Sequence, residues 1–281
     1  MPVQELFLSP FVLALFGLCV GSFLNVVIHR LPLILERGWK MESADLLGVV
    51  HDESPALTLS TPRSRCPSCG HAIRWYENVP VASWLWLRAR CSACKAPISA
   101  RYPLIELATA ALFGLVGWHV GAQPVAIVWC LFCATLVALS GIDWDTTLLP
   151  DNITLPLLWA GIVVAALGWT IPLGDAVWGA VAGYLSLWSV YWAFKLTTGK
   201  EGMGFGDFKL LAALGAWLGW KMILPIVLGA SIIGAIVGIG MKMSSALREG
   251  RYVPFGPFLA GAGLVVLFAG QARVLGWLRW A

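Results

Sequence analysis

Two aspartates stand beside long apolar stretches of this chain. Asp143 closes an apolar run in LSGIDWDTTLLPDNIT, and Asp207 follows a glycine-broken turn in GMGFGDFKLL. A carboxylate at the edge of hydrocarbon is costly, so it is usually paired, water-facing and functional. Two such acids that share a proton form the acid/base pair of an aspartic protease. The sequence therefore predicts that Asp143 and Asp207 meet at one membrane face and act together.

The glycines before Asp207 predict an open approach to its carboxyl group. Gly202, Gly204 and Gly206 alternate with larger residues, a pattern that disfavours a helix. We expect an extended segment here, followed by a helix over Phe208–Trp220. The missing side chains at Gly204 and Gly206 leave room for the backbone of a peptide beside the aspartate. A flexible loop in which Asp207 caps the helix is the competing interpretation.

The remaining acids are interpreted as structural. Asp145 and Asp151 lie in a polar loop, where Asp151 is able to cap the next helix. Glu106 opens a predicted span, where an acid complements the helix dipole. Lys209, two residues after Asp207, is placed either to hold a nearby carboxylate or to reach the membrane interface.

Four cysteines have the spacing of a zinc site. Cys66 and Cys69 form CPSC, Cys91 and Cys94 form CSAC, and 21 residues separate the two pairs. Two such pairs about 15–20 residues apart are typical of tetrahedral thiolate zinc sites. Four thiolates leave no open position on the metal, so the predicted zinc is structural. The alternatives are two disulfides, which a reducing cytoplasm disfavours, or four free thiols.

The composition places the chain in a membrane. It is 59% hydrophobic and 12% charged over 281 residues, whereas soluble domains are about 25% charged. About 20 apolar residues span a bilayer. One uncharged stretch is long enough for two helices, and Leu210–Trp220 adds an eighth. We therefore predict an all-α polytopic protein with about eight transmembrane helices. The uncharged stretches on which this prediction depends are Leu6–Ile28, Leu107–Ile142, Asn152–Gly174, Ala176–Phe194, Met222–Met241 and Tyr252–Ala272.

The basic residues predict the orientation. Ten lie in segment 29–103, three in 195–209 and three in 242–251, and only three lie elsewhere. Because cytoplasmic loops are rich in Lys and Arg, these three segments and both aspartates are assigned to the cytoplasm. The net charge of +4 then reflects topology and implies no nucleic-acid partner.

Three regions follow from this topology. Residues 1–28 form the first transmembrane helix. Residues 29–103 form a cytoplasmic tetracysteine zinc domain. Residues 104–281 form a seven-helix membrane core that carries the aspartate pair.

Several stretches resemble the bacterial type IV prepilin peptidases, which are membrane aspartic proteases. A lone G-x-G-D would be weak, but the similarity runs nearly end to end. It is carried by GSFLNVVIHRLP at Gly21–Pro32, CPSCGHAIRWYENVPVASWLWLR at Cys66–Arg88, CSACKAPISARYPLIELATA at Cys91–Ala110, IDWDTTLLPDNITLPLLW at Ile142–Trp159 and GMGFGDFKLLAALGAWLG at Gly202–Gly219.

The resemblance implies a function. The family's catalytic aspartates fall on Asp143 and Asp207, leaving open which is acid and which is base. The implied substrates are type IV prepilins and type II secretion pseudopilins, cut after the glycine that ends the leader, at the cytoplasmic face of the inner membrane. A second implied activity methylates the new N-terminus with S-adenosylmethionine. One departure is Ala89, where the family usually has glycine; alanine would strain a site that needs positive φ.

Three other functions fit parts of the sequence. A proton-coupled transporter also pairs membrane acids, but it predicts acids nearer the midplane and inverted repeats. A zinc-bearing membrane scaffold would leave the aspartates structural, which the glycines beside Asp207 disfavour. A presenilin-like protease would lack the zinc insert. Only the peptidase accounts for the insert, the aspartates and the topology together.

Overall fold

The computed structural model describes residues 3–49, 56–244, 253–277 and 279. In that part of the chain the regular structure is helical, apart from two isolated β-bridges in the insert. The predicted all-α class is therefore confirmed. Residues 245–252, which hold most of the third basic segment, lie outside the described residues. The chain divides into two compact units, Met1–Ala138 and Leu139–Ala281.

The helices of the first unit flank the cysteine-bearing insert. The α-helices, in chain order, are α1 (Val3–Phe7), α2 (Pro10–Leu47), α3 (Ala82–Trp86) and α4 (Arg101–Val120), and a 3-10 helix (Trp75–Asn78) precedes α3. Helix α5 (Val125–Thr146) begins in the first unit, and its residues from Leu139 onward belong to the second.

The helices of the second unit pack around one short central helix, α8 (Phe205–Leu218). The others are α6 (Asp151–Ala166), α7 (Leu173–Thr198), α9 (Ile223–Met243), α10 (Gly256–Ala269) and α11 (Gln271–Trp277), and a second 3-10 helix (Trp220–Met222) precedes α9.

Fewer helices qualify as spans than the eight predicted. Among the described residues, four are long and apolar enough to cross a membrane: Pro10–Leu47, Arg101–Val120, Val125–Thr146 and Trp220–Met243. The pair α10 and α11, bent by 106°, makes a fifth if it is one span. Helices do stand at all eight predicted positions, as α2 and α4 to α10. Eight spans therefore remain a prediction.

Helix α2 continues well past the predicted end of the first span. It runs through Pro32 to Leu47, where Gly48 ends it with a left-handed φ of 65°. Two glycines bring α2 close to α4: a Cβ on Gly17 would lie 2.8 Å from the Ala110 Cα, and one on Gly21 would lie 2.7 Å from the Glu106 Cα. Small residues allow this backbone approach between membrane helices.

Helix α8 is the centre of the second unit. Every residue from Asp207 to Leu218 except Lys209 is buried. At about 1.5 Å per residue its 14 residues are about 21 Å long, less than the hydrocarbon thickness of a bilayer. The Trp217 indole N–H donates to the Leu157 carbonyl oxygen at 2.8 Å, which ties α8 to α6. The neighbouring helices therefore shield most of α8.

Candidate active site

Asp143 lies near the end of α5 and is buried, with 4% of its surface exposed. The helix ends at Thr146, and the next residue, Thr147, has a φ of +55°. The Thr147 N–H donates to the Asp143 carbonyl oxygen at 2.8 Å. This bond at the end of α5 holds the Asp143 backbone in place, and Asp143 belongs to the second unit.

A backbone donor holds the Asp143 carboxyl group. The Gly256 N–H donates to Asp143 Oδ2 at 2.9 Å in a buried contact. Gly256 is the first residue of α10, and the first N–H groups of a helix have no partner within the helix. The carboxylate supplies that missing partner. Sequence reasoning missed Gly256, although Gly256-Pro257 at a predicted span start was a signal.

Asp207 lies in the first turn of α8 and is 8% exposed. Gly204 precedes the helix with an extended backbone, φ −82° and ψ 148°. The charge of Asp143 acts on Asp207. The structure therefore brings the two predicted aspartates within electrostatic reach of each other, inside one unit.

The extended segment before Asp207 is shorter than predicted. Helix α8 begins at Phe205 and ends at Leu218, so Gly206 is helical and the predicted helix Phe208–Trp220 is shifted. The packing of Leu149 distinguishes Gly206 from Gly204. A Cβ on Gly206 would lie 2.7 Å from Leu149 Cβ, whereas one on Gly204 would meet only Asp207 Oδ2, at 4.0 Å. Gly206 therefore admits Leu149, and Gly204 is the glycine with open space beside the aspartate.

Leu149 also contacts the residue that holds Asp143. A Cβ on Gly256 would lie 3.2 Å from Leu149 Cδ2. The leucine is buried, with 8% exposed. It therefore packs against both Gly206, next to Asp207, and Gly256, the donor to Asp143. This shared contact couples the positions of the two aspartates.

Two outer acids form ion pairs. Lys209 Nζ lies 2.7 Å from both carboxyl oxygens of Asp151, 58 residues away. Lys195 Nζ lies 2.8 Å from Glu201 Oε1, and the lysine lowers the pKa of that carboxyl. Of the two roles considered for Lys209, the structure has it hold a carboxylate. Both pairs are half-exposed, which agrees with acids at a solvated face.

The four cysteines converge in the insert. Their Sγ atoms all lie within 4.8 Å of one another, and Cys66 Sγ is 3.8 Å from Cys94 Sγ. A tetrahedral zinc with Zn–S bonds of about 2.3 Å requires an S–S separation of about 3.8 Å. The geometry therefore fits a thiolate-bound zinc ion.

The two cysteine turns have the same construction. The Cys66 N–H donates to the His71 carbonyl oxygen, and the Cys91 N–H donates to the Ala96 carbonyl oxygen. Each turn has a left-handed residue directly after its second cysteine, Gly70 and Lys95. This shared form points both sulfurs of each pair to one place.

Glu77 links the two turns. Its carboxylate accepts the Arg74 N–H at 2.8 Å and lies 3.3 Å from His71 Nε2. The pKa of Glu77 is lowered to about 2, most strongly by the hydrogen bond from the Arg74 N–H and less by Ser92 and His71. His71 follows the first cysteine pair, and Ser92 lies inside the second. Glu77 therefore stabilises the cysteine cluster through contacts with the residues around it, a role that the sequence did not predict.

Glu106 has a more specific role than a dipole contact. It is buried in α4, and its Oε2 accepts the Val81 N–H at 2.7 Å. Val81 has a φ of 58°, which is unusual for a β-branched residue. The bond fastens the insert to α4 at this strained turn.

Known proteins match the chain along its whole length. Residues 15–120 match the Bacterial Peptidase A24 N-terminal domain, and residues 130–239 match the Type IV leader peptidase family. No solved structure matches.

Curated relatives named "Prepilin leader peptidase/N-methyltransferase" are about half identical to it. The protein of Stutzerimonas stutzeri is 50% identical over 100% of this chain and 99% of its own length. That of Aeromonas hydrophila is 53% identical over 92% and 90%, and that of Pseudomonas aeruginosa is 51% identical over 95% and 92%. With this similarity from end to end, the chain belongs to the type IV leader peptidase family and is a peptidase.

Proposed function

We propose that this protein removes the leader peptide of type IV prepilins and type II secretion pseudopilins by a two-aspartate mechanism. The observation that carries the proposal is the buried pair Asp143 and Asp207, with Gly256 donating to Asp143 and Leu149 packed between the two glycines. The names of the relatives support prepilins as substrates.

In the proposed reaction the aspartates share one proton. The ionised carboxylate takes a proton from water, whose oxygen attacks the carbonyl carbon of the leader's last glycine. The protonated partner donates a hydrogen bond to the carbonyl oxygen. The C–N bond then breaks, and the amine leaves with a proton from the pair. The protons belong to the coupled pair, so the acid and base roles are assigned to the two together.

We assign the pair to the cytoplasmic face of the bacterial inner membrane. The basic segments support this sidedness. The proposed layout has eight helices within the membrane, with lipid around the outer ones, a first helix at 1–28, a cytoplasmic zinc domain at 29–103 and a seven-helix core at 104–281. Because α2 continues past residue 28 to Leu47, the C-terminal part of this helix would extend out of the membrane into the cytoplasm.

Cys66, Cys69, Cys91 and Cys94 are proposed to hold one structural zinc. The sulfur separations support this. Zinc bound by four thiolates keeps no open position, so the peptidase step is assigned to the aspartates alone.

The chain is also proposed to methylate the new N-terminal amine. The relatives' N-methyltransferase names support this. S-adenosylmethionine would supply the methyl group, and no binding residue is assigned to it.

Product masses test both activities. Purified protein in lipid nanodiscs is incubated with a prepilin, with and without S-adenosylmethionine. We expect Asp143→Asn and Asp207→Asn each to abolish cleavage in a folded protein. Asp175→Asn is the control, because Asp175 lies in the first turn of α7, which follows the opposite end of α6 from Asp151, and its Oδ1 accepts the Trp220 Nε1–H at 3.2 Å. Normal cleavage by Asp143→Asn, or loss of cleavage in Asp175→Asn, would contradict the assignment.

A further inference from the structure

The insert exposes large apolar side chains. Trp75 is 83% exposed, Trp86 is 78% exposed and Leu85 is 61% exposed. Leu85 and Trp86 belong to α3, which has no buried residue. A folded soluble surface seldom leaves two tryptophans this open, and such patches mark interaction sites.

The same surface is strongly basic. Residues 56–100 contain six Lys and Arg and one acid, Glu77. The Glu77 side chain is only 8% exposed, so it neutralises little of the outer charge. Arg88, Arg90 and Lys95 line one cavity of about 400 Å³ together with Leu87, the residue after Trp86. The apolar and basic groups are therefore adjacent.

Two attachments hold this surface at the ends of the membrane helices. Arg30, two residues past the uncharged stretch of α2, donates to the carbonyl oxygens of Thr58 at 3.0 Å and Pro62 at 2.7 Å. Glu106, inside α4, accepts the Val81 N–H. Leu85 follows Val81 by four residues, about 6 Å along a helix. Leu85 and Trp86 thus lie within one or two helical turns of a group inside a spanning helix.

We propose that α3 and the basic turn after it dock on the surface of the lipid bilayer. Leu85 and Trp86 enter the headgroup region, where tryptophan is favoured. Arg88, Arg90 and Lys95 contact the phosphates of anionic lipids, which attract such residues. The proposal rests on α2 and α4 crossing the membrane and is independent of the peptidase mechanism.

Lipid fits this surface better than a protein partner does. The attachments to α2 and α4 keep the patch at a fixed distance from these helices whether or not a substrate is present. Tryptophan beside arginine and lysine is the composition of helices that lie in a membrane interface. A membrane-bound substrate is the competing occupant, and the experiment separates the two.

Photocrosslinking in nanodiscs identifies the occupant. The full chain carries Trp86→p-benzoylphenylalanine, with Leu85→p-benzoylphenylalanine as a second position. The control is Glu42→p-benzoylphenylalanine, which is exposed on α2 and about 21 Å along the helix beyond Ile28. Nanodiscs contain phosphatidylcholine with or without phosphatidylglycerol, and adducts are identified by mass spectrometry.

We expect lipid adducts at 86 or 85 and none at 42. Their yield should rise with phosphatidylglycerol. The triple variant Arg88→Gln/Arg90→Gln/Lys95→Gln should lose this rise, since each basic group near an anionic surface strengthens binding roughly fivefold. Adducts to an added prepilin in place of lipid, no lipid adduct at either position, or equal adducts at 42 would each overturn the proposal.

Discussion

The backbone N–H of Gly256 lies 2.9 Å from Oδ2 of Asp143, although 113 residues separate them in the chain. A Cβ at position 256 would stand 2.6 Å from that same oxygen, closer than carbon and oxygen can approach without a bond. Only glycine therefore lets the first N–H of α10 reach the aspartate. The contact makes the start of α10 part of the aspartate site.

Gly256→Ala should displace the Asp143 carboxyl group and lower prepilin cleavage by about 100-fold, the typical cost of misplacing a catalytic group by about 1 Å. The matched control is Gly261→Ala on the same helix, where an added Cβ meets nothing within 4 Å. Initial rates by gel densitometry check both. Equal rates in the two variants would remove Gly256 from the site.

Alanine substitutions of the two glycines before Asp207 should have different effects, one on stability and the other on substrate access. Gly206→Ala forces a Cβ against Leu149 and should destabilise the protein by roughly 1–3 kcal/mol through overpacking. Gly204→Ala meets only Asp207 Oδ2, at 4.0 Å, so its thermal stability should be nearly unchanged while peptide docking, and with it cleavage, is reduced. Melting curves and cleavage assays are run in parallel. Full activity of Gly204→Ala would show that this glycine provides no room for substrate.

Ala89→Gly should stabilise the insert. Ala89 has a φ of 57°, which costs an L-residue with a Cβ about 1 kcal/mol or more. Its N–H and carbonyl are bonded to Trp84 and Ile98, at 2.8 and 2.7 Å, so the backbone is not free to relax. Slower zinc loss to a chelator is the expected readout. Ala72→Gly, at a β-bridge residue without positive φ, should speed the loss, and a faster loss from Ala89→Gly would refute the strain argument.

Glu77→Gln should loosen the cysteine cluster. The folded pKa of about 2 is below the ordinary value of 4.5. The carboxylate therefore stabilises the insert at all pH values above about 4.5, and this contribution is lost as pH falls toward about 2. We expect faster proteolysis of the insert in Glu77→Gln than in the unmodified protein at about pH 8, where the carboxylate is ionised. Equal proteolysis of the two proteins at that pH would contradict a stabilising role of Glu77.

One zinc per chain is expected in the purified protein. Cys66→Ser and Cys91→Ser should lower the zinc content and make segment 60–100 sensitive to protease, because the metal joins two turns that are otherwise held by few contacts. Elemental analysis and limited proteolysis measure both effects. Well under one zinc per chain in the unmodified protein would refute the metal site.

Local signals made the fold class and the candidate site residues predictable. The helix positions follow from uncharged stretches of bilayer length, since a backbone in lipid must satisfy its own hydrogen bonds. The cysteine cluster follows from two short cysteine spacings. Asp143 and Asp207 stand out because a carboxylate beside an apolar run is costly without a function.

Contacts between distant parts of the chain were not predictable. Gly206 was expected in an extended segment, but it lies in the first turn of α8, and Leu149 packs against it. The partner of Lys209 is Asp151, 58 residues away, although other acids are nearer in sequence. A sequence pattern indicates the structure of one helix or turn, but it does not indicate which distant helix packs against that element.

The sequence by itself determined the family, the helical class, the aspartates and the four cysteines, because the free-energy cost of charge in lipid and the ligand spacing of zinc act on neighbouring residues. Only the tertiary structure decided that Gly256 donates to Asp143, that Leu149 contacts both site glycines and that Glu106 fastens the strained turn at Val81. Each of these depends on close packing between helices far apart in the chain, where a single Cβ decides whether two backbones can meet.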